Sequence, residues 1–392
     1  MRQGIGILCA TIISAGCASA PPAAAPVAAA PAAQLTRHYE AIPLDGFEDA
    51  IHHWRNRYGD KYAKYEPTQI IGIAENVLLY QRDVGGWIEN QDATRILSAS
   101  EMDGIRKEKG NPKASFDNRN VYSQIEYLFA VYDQTGNTRY RDAAMKGFNY
   151  TLGMQHKQCG GWPHTVPGSE TYHPYITMAD EVTSGILRML RKMENGSAPF
   201  TSVSAADRAR AKAARERGDA CILKLQIVQN GQPTGWAGQY DPQTLQPAQG
   251  RTFELPSIIS WESVEVVRYL MSIPSPSPEV VRAIDGAMSW FDRVKLTGVK
   301  IETVPIDPPV KYTWHTATTD RRLVADPKAP PLWARFYDLK DSSVVLANRD
   351  GTRAATYADV HHERRTGYNW YGTWPTPLIE TEYPAWKKRM GR

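Results

Sequence analysis

Three Gly-Trp turns set a period on this chain: Gly85-Gly86-Trp87, Gly160-Gly161-Trp162 and Gly235-Trp236, with the tryptophans 75 and 74 residues apart. Self-similarity at a fixed spacing restricts the fold to copies of one supersecondary unit packed side by side. Apolar residues ahead of each turn recur at helical intervals: Ile70, Ala74, Val77, Leu78; Ala144, Phe148, Leu152; Ala220, Leu223, Ile227. A second helical pattern follows each turn and its loop: Ile125, Leu128, Phe129, Tyr132; Ile186, Leu187, Leu190; Val264, Val267, Leu270. Gly136, Gly196 and Pro274 stop these second helices. The expected fold is mostly α, an alpha/alpha toroid of three helical hairpins, with the Gly-Trp loops and the starts of the second helices gathered at one end as a cleft. Each tryptophan taken singly reads as turn packing against a core face, while three in register at a cleft mouth also suit stacking on sugar rings.

A last helix is expected from Pro278 to Val294. Beyond it, Val299 to Tyr312 alternates apolar and polar residues, and 332–337 with 344–346 reads as strands around an Asp-Ser-Ser turn. These strands make a small β-strand cap near the C-terminus. No second core large enough for a separate domain is visible, so residues 35–392 are read as a single domain.

Residues 1–16 read as a signal segment: Arg2, an apolar run from Ile5 to Ile13, then small residues. The run is too short to span a membrane. Ser14-Ala15-Gly16-Cys17 resembles a lipobox and competes with a cleavage site at Ala18-Ser19-Ala20. Residues 17–34, rich in Pro and Ala, form a tether. Export to the periplasm, with Cys17 as a lipid anchor to the envelope, is the favoured localisation. Cys159 and Cys221 remain in the mature chain, where pairing in an oxidising compartment and burial as free thiols are equally open. The formal charge of +4 suits an acidic substrate and falls far short of a nucleic-acid footprint. A monomer is expected.

The crossing from Gly235 to Ser263 contains a single basic residue, Arg251. Long irregular crossings tend to carry function. Asp117-Asn118 precedes the second helix of the first repeat, and Thr177 with Asp180 precedes that of the second. Helix capping explains either pair. Carboxylates at the starts of equivalent helices also fall at the same end of the molecule, where two hard oxygen ligands suit calcium completed by substrate carboxylates. Arg321 and Arg335 follow in the capping strands, the latter among Trp333 and Phe336-Tyr337. Arginines with aromatic walls suit an acidic polysaccharide.

The loops in order are Gly-Gly-Trp followed by Asp117-Asn118; Tyr172-His173 with Ile176-Thr177 and Asp180; Arg251-Thr252-Phe253-Glu254 with Pro256-Ser257 and Glu262-Ser263; then Trp333-Ala334-Arg335-Phe336-Tyr337; and Arg364-Arg365-Thr366-Gly367-Tyr368 with Trp370-Tyr371-Gly372. From about Ala74 to Gly372 this resembles the pectate lyases of polysaccharide lyase family ten. The resemblance implies that Asp117 and Asp180 hold calcium (Ca2+), that Arg251 abstracts the proton, and that Arg321 and Arg335 bind uronate carboxylates or the developing charge. Asn118, Trp162, Tyr172 and Thr177 are the candidate substrate-binding residues. The chain departs from the family pattern at Met178-Ala179, at Gln249-Gly250 and at Arg119-Asn120, where the family often has small residues.

The implied reaction is a beta-elimination on polygalacturonate. Charge is withdrawn from the uronate carboxylate, a base takes the C5 proton, and the C4 oxygen leaves. An isolated guanidinium stays protonated far above neutral pH, so desolvation and neighbouring positive charge are expected to lower the pKa of Arg251. Two other readings stand beside this one: an inverting glycoside hydrolase using Asp117 and Asp180, and a silent envelope protein that captures oligouronates. His361-His362-Glu363 lacks the spacing of a helical metal motif and reads as scaffold, with Arg364 and Arg365 in salt bridges.

Overall fold

The computed structural model describes residues 38–313 and 315–392. The expected signal segment and tether lie outside the described residues. Tyr39–Arg392 form one compact unit, and helices dominate it. They are α1 (Glu48–Tyr58), α2 (Ile70–Tyr80), α3 (Ala99–Lys107), α4 (Tyr122–Thr135), α5 (Thr138–Gly153), α6 (Val182–Asn195), α7 (Ala205–Leu225), α8 (Ser260–Met271), α9 (Pro278–Val294) and α10 (His362–Gly367). The second helices α4, α6 and α8 pack in a row, and each also lies against the first helix of the next repeat, α5, α7 and α9. The expected spans hold closely, and α9 starts and ends where the pattern said. Ser277 caps α9 by accepting from the Val280 N–H, with proline next in line. Ile227 falls outside α7, in the loop that follows.

The repeat has a physical basis in three recurring bonds. Trp87, Trp162 and Trp236 are 1%, 0% and 1% exposed, and their indole N–H groups donate to the carbonyls of Val77, Thr151 and Ile222 on or beside the preceding helices. Burying an indole of roughly 200 Å² contributes about 5 kcal/mol of gross transfer free energy. Each helix end also carries a glutamine whose side-chain amide donates twice: Gln81 to Gly85 and Ala143, Gln155 to Gly160 and Ala214, Gln226 to Thr234 and Ala283. One acceptor lies in the glutamine's own turn and the other on the first helix of the next repeat. Gly160 is obligatory at its place, because φ is +115° and a Cβ would lie 2.5 Å from the Arg217 carbonyl oxygen. A disulfide between Cys159 and Cys221 ties the same turn to α7, which decides the alternative left open by the sequence.

Short strands draw the turns to one end. Each turn bonds to the segment leading into its own second helix: Ser115 N–H to Trp87 O, Thr177 N–H to Trp162 O, and Trp236 paired with Ile259. Each later turn also pairs with the previous repeat's lead-in segment, Thr165 with Ser115, Gln239 with Thr177, and Phe336 with Ile259.

The last of these belongs to a fourth turn, which corrects the expected three hairpins. Trp333 donates to Phe291 O and pairs with Gly372 ahead of the C-terminal helix Tyr383–Arg389. In Trp333-Ala334-Arg335-Phe336-Tyr337 the tyrosine hydroxyl accepts from Ala334 N–H and donates to Val294 O. Tyr240 does the same for Ala237 N–H and Leu225 O in the third turn. A two-stranded ribbon, Val299–Lys311 with Thr316–Ala325, is inserted ahead of this turn and hides the period. The capping strands are therefore not one hairpin. Trp333-Ala334 pairs with Tyr371-Gly372, Phe336-Tyr337 pairs with Ile258-Ile259, and Tyr337 meets Val344 in a single bridge. Phe253, Phe336, Leu346, Tyr357, Tyr368 and Trp370 form a satellite apolar cluster against which Ile301 and Leu323 of the ribbon pack.

Candidate active site

The lead-in segments carry the acids. Asp117 follows the strand Ala114-Ser115 and takes no part in capping, since α4 begins at Tyr122 without a side-chain cap. Its Oδ1 is buried without a hydrogen-bond partner and lies 3.4 Å from His164 Nε2. Burial works against the Asp117 charge, but His164, then Arg251 and His53, outweigh it and hold the carboxyl at about 2. His164 is raised in turn, with Asp117, Asp180 and Glu89 overcoming its burial.

Asp180 lies in the turn Ala179–Glu181 with φ +50° and, like Asp117, is not a cap. Its carboxylate, 35% exposed, is 4.0 Å from Arg335 Nη2. Burial and the Asp117 charge push it up to about 7. The approach loops are strained. Asn118, Arg119, Val121, Asp180 and Glu181 all have positive φ, and Val121 sits in a tight turn closed by Tyr122 N–H to Asn120 O at 3.0 Å. Such conformations in non-glycine residues cost of order 1–3 kcal/mol each and concentrate at functional sites.

The arginines face these acids. Arg251 donates from its backbone N–H to Glu254 Oε2 at 2.9 Å and from Nη2 to Glu254 Oε1. Its guanidinium lies over Phe253 and Tyr368, at 5.3 and 5.4 Å from the ring centres, and its side chain is 47% exposed. Burial opposes its charge, yet Glu254, Tyr368 and Asp180 outweigh that and hold it well above the ordinary value. The expected lowering of the Arg251 pKa is therefore wrong for the resting protein, because its nearest charge is a carboxylate rather than a cation. Glu254 is held at about 2, with Arg251 first among the groups that overcome its burial, and it accepts from Tyr368 Oη at 2.7 Å. Arg335 is buried, ion-paired to Glu262, and lies 4.7 Å over Trp261 and 4.8 Å over Tyr368.

The remaining candidates divide. Tyr172 joins the site edge-on to His164 at 5.2 Å, and burial raises its hydroxyl to about 12 against the pull of Arg251. Asn118 bonds Asn90 at 2.9 Å through its amide. Trp162 and Thr177 are each 0% exposed. The indole is spent on Thr151 O and the hydroxyl on Tyr175 O, so neither side chain can meet a substrate in this conformation. Arg321, on the ribbon, bonds Tyr368 O and Asn369 Oδ1 at 3.3 and 3.1 Å and reaches the cluster through the segment that carries Tyr368. Arg364 and Arg365 pair with Glu363 and Asp320, as a scaffold turn requires.

Sequence reasoning gave no role to His164, Glu254, Glu262, Tyr368 or His53. Glu254, Glu262 and Tyr368 stood inside quoted motifs, but only packing reveals that the two glutamates neutralise Arg251 and Arg335 and that the Tyr368 ring lies against both guanidiniums. Among the described residues no group of three His, Cys, Asp or Glu side chains is placed to hold a metal. What Asp117 and Asp180 supply is two carboxylates, the first with a buried oxygen that has no hydrogen-bond partner and the second made harder to ionise by the charge of the first. That donor set fits a hard divalent cation whose other oxygen ligands come from a bound molecule.

A point mutant of the family 10 polysaccharide lyase from Cellvibrio cellulosa, solved with trigalacturonic acid, matches at a TM-score of 0.69 and 28% identity, over 90% of this chain and 100% of that one. The same family 10 lyase without the mutation matches at 0.70 and 29%, over 90% and 98%. No curated protein matches. Paired helices that carry acids and glutamate-held arginines to one end, in the likeness of these structures, define a polysaccharide lyase. The chain belongs to the pectic acid lyase family, whose model matches residues 81–379.

Proposed function

We propose that the protein is an exported pectate lyase that cleaves polygalacturonate by calcium-assisted beta-elimination, with its hairpins closed as an alpha/alpha toroid. The observation that carries the reading is the meeting of two carboxylates poor in partners with two arginines each held by a glutamate. Asp117 and Asp180 are the residues that would hold calcium together with a uronate carboxylate, and the ion would supply the charge withdrawal that acidifies C5. Arg335, locked by Glu262 and stacked on Trp261 and Tyr368, offers fixed positive charge beside Asp180 and orients the uronate carboxylate without reorganising. Arg251 presents a half-exposed guanidinium to the cleft and is the proposed base. Because Glu254 keeps it protonated at rest, the base role requires that pair to loosen when substrate binds. Arg321 supports Tyr368 from behind and is proposed to act on charge only at longer range. Homology to a lyase structure holding trigalacturonic acid supports the acidic substrate, and the Cys159–Cys221 disulfide supports an oxidising compartment. Cys17 is the proposed lipid attachment point.

Ultraviolet absorbance on polygalacturonate tests this reading. Unsaturated product should accumulate with calcium and stop with a chelator. Steady product formation in the chelator would remove the metal, and a product with no ultraviolet band would remove elimination. In the same assay Arg251→Lys should cut turnover by orders of magnitude while oligogalacturonate binding changes much less.

A further inference from the structure

Asp117 and Asp180 repel each other, so something has to hold their loops together before a cation arrives. Arg119 stands two residues beyond Asp117 and Glu181 one beyond Asp180, and they pair: Arg119 Nη2 lies 2.8 Å and Nε 3.1 Å from Glu181 Oε1. This ion pair bonds one approach loop to the other. Both loops are left-handed at that point, with φ of 54°, 60°, 50° and 59° at Asn118, Arg119, Asp180 and Glu181. Non-glycine residues keep such conformations only when their surroundings over-determine them.

The pair is anchored at both ends. Arg119 reaches Asp49 Oδ2 on α1 at 3.3 Å and the Asp45 carbonyl at 3.2 Å. Glu181 also accepts from Arg188, which lies 3.5 Å from Glu265 on α8.

We propose that the Arg119–Glu181 pair is a positioning strut that sets the separation of Asp117 and Asp180 and thereby the affinity for calcium. This rests on the calcium reading above. Neither strut residue touches the substrate; both act through the backbone of the carboxylates beside them.

The test compares Arg119→Ala, Glu181→Gln and the double variant with the parent. One readout is the calcium concentration giving half-maximal ultraviolet product. The other is calorimetric titration of calcium in the presence of trigalacturonate, with every protein carrying Arg251→Ala so that the sugar stays whole. Each single change should weaken calcium binding by about tenfold or more, as loss of outer-shell support does. The double variant should be no weaker than the worse single one, and turnover at saturating calcium should change much less.

Arg268 bonds Glu265 and Glu382 and is separated from Glu181 by Glu265 and Arg188, so it tests whether the direct pair or the wider charged row matters. Arg268→Ala should melt earlier and leave the calcium midpoint in place. The strut is overturned by an unchanged midpoint in Arg119→Ala and Glu181→Gln, by additive losses in the double, or by an equal shift in Arg268→Ala. If Arg119→Ala fails to fold, the near-isosteric Glu181→Gln carries the decision. A parent indifferent to calcium overturns the metal reading and the strut with it, whereas a calcium-dependent parent with unaffected variants overturns the strut alone.

Discussion

Asp180 carries the clearest electrostatic cost in the molecule, and that cost has a sign. Its folded pKa of about 7 lies above the unfolded value of about 3.9, so ionising it is harder in the fold than in the unfolded chain. Below both values it contributes nothing to the pH dependence. As pH rises between them the unfolded chain releases its proton first, and stability falls until the folded group has ionised as well. In metal-free protein Asp180→Asn should therefore melt higher than the parent at pH 8 and near it at pH 4. Calcium with oligogalacturonate should raise the melting temperature of the parent and not of the variant. Equal melting of the two metal-free proteins across pH 5–8 would show that neither burial nor the Asp117 charge makes Asp180 harder to ionise. Asp117, shielded by His164, should show no such cost.

Elements in this fold are joined by amides as much as by apolar faces. Gln81 is buried and its side chain donates to Gly85 O and Ala143 O, both at 2.9 Å. Leucine would fill the same volume, leave Gly85 O without this donor and return Ala143 O to its helical partner alone. Gln81→Leu should cost roughly 1–3 kcal/mol in urea unfolding, on the scale of one unsatisfied buried acceptor, with turnover of the folded enzyme unchanged. A loss below about 0.5 kcal/mol would mean that the Gly85 carbonyl finds water. The glutamine signal was available in the sequence at positions 81, 155 and 226, always just past a predicted helix. It went unread because a polar residue at a helix end is usually solvated. The fourth turn was missed for a different reason: Trp333 lacks the preceding glycine, and the inserted ribbon stretches the spacing from Trp236 to 97 residues.

At the scale of the whole molecule, Cys159–Cys221 closes a loop of 62 residues between the second turn and α7. Chain-entropy reasoning assigns such a crosslink about 4 kcal/mol, acting chiefly on the unfolded state. Reducing agent should lower the urea midpoint of the parent and leave Cys159→Ala/Cys221→Ala, already lowered, where it is. An unmoved parent would mean that the bond constrains nothing the fold does not already constrain.

The sequence by itself determined the three Gly-Trp turns, the helices and the stops, because these depend on local periodicity that survives any packing; Asp117, Asp180, Arg251, Arg321 and Arg335 it could only single out as candidates by their chemistry. It did not determine the function of the repeat's tryptophans, which could equally have lined a cleft. Trp162 and Thr177 turned inward because the indole found the Thr151 carbonyl on the preceding helix and the hydroxyl the nearby Tyr175 carbonyl. Nor could it assign the protonation of Arg251, since that depends on whether a carboxylate or a cation lies against the guanidinium. Glu254 is three residues away along the chain, yet Tyr368 and Asp180 reach the same group from distant loops, and charge in a cleft follows distance in space.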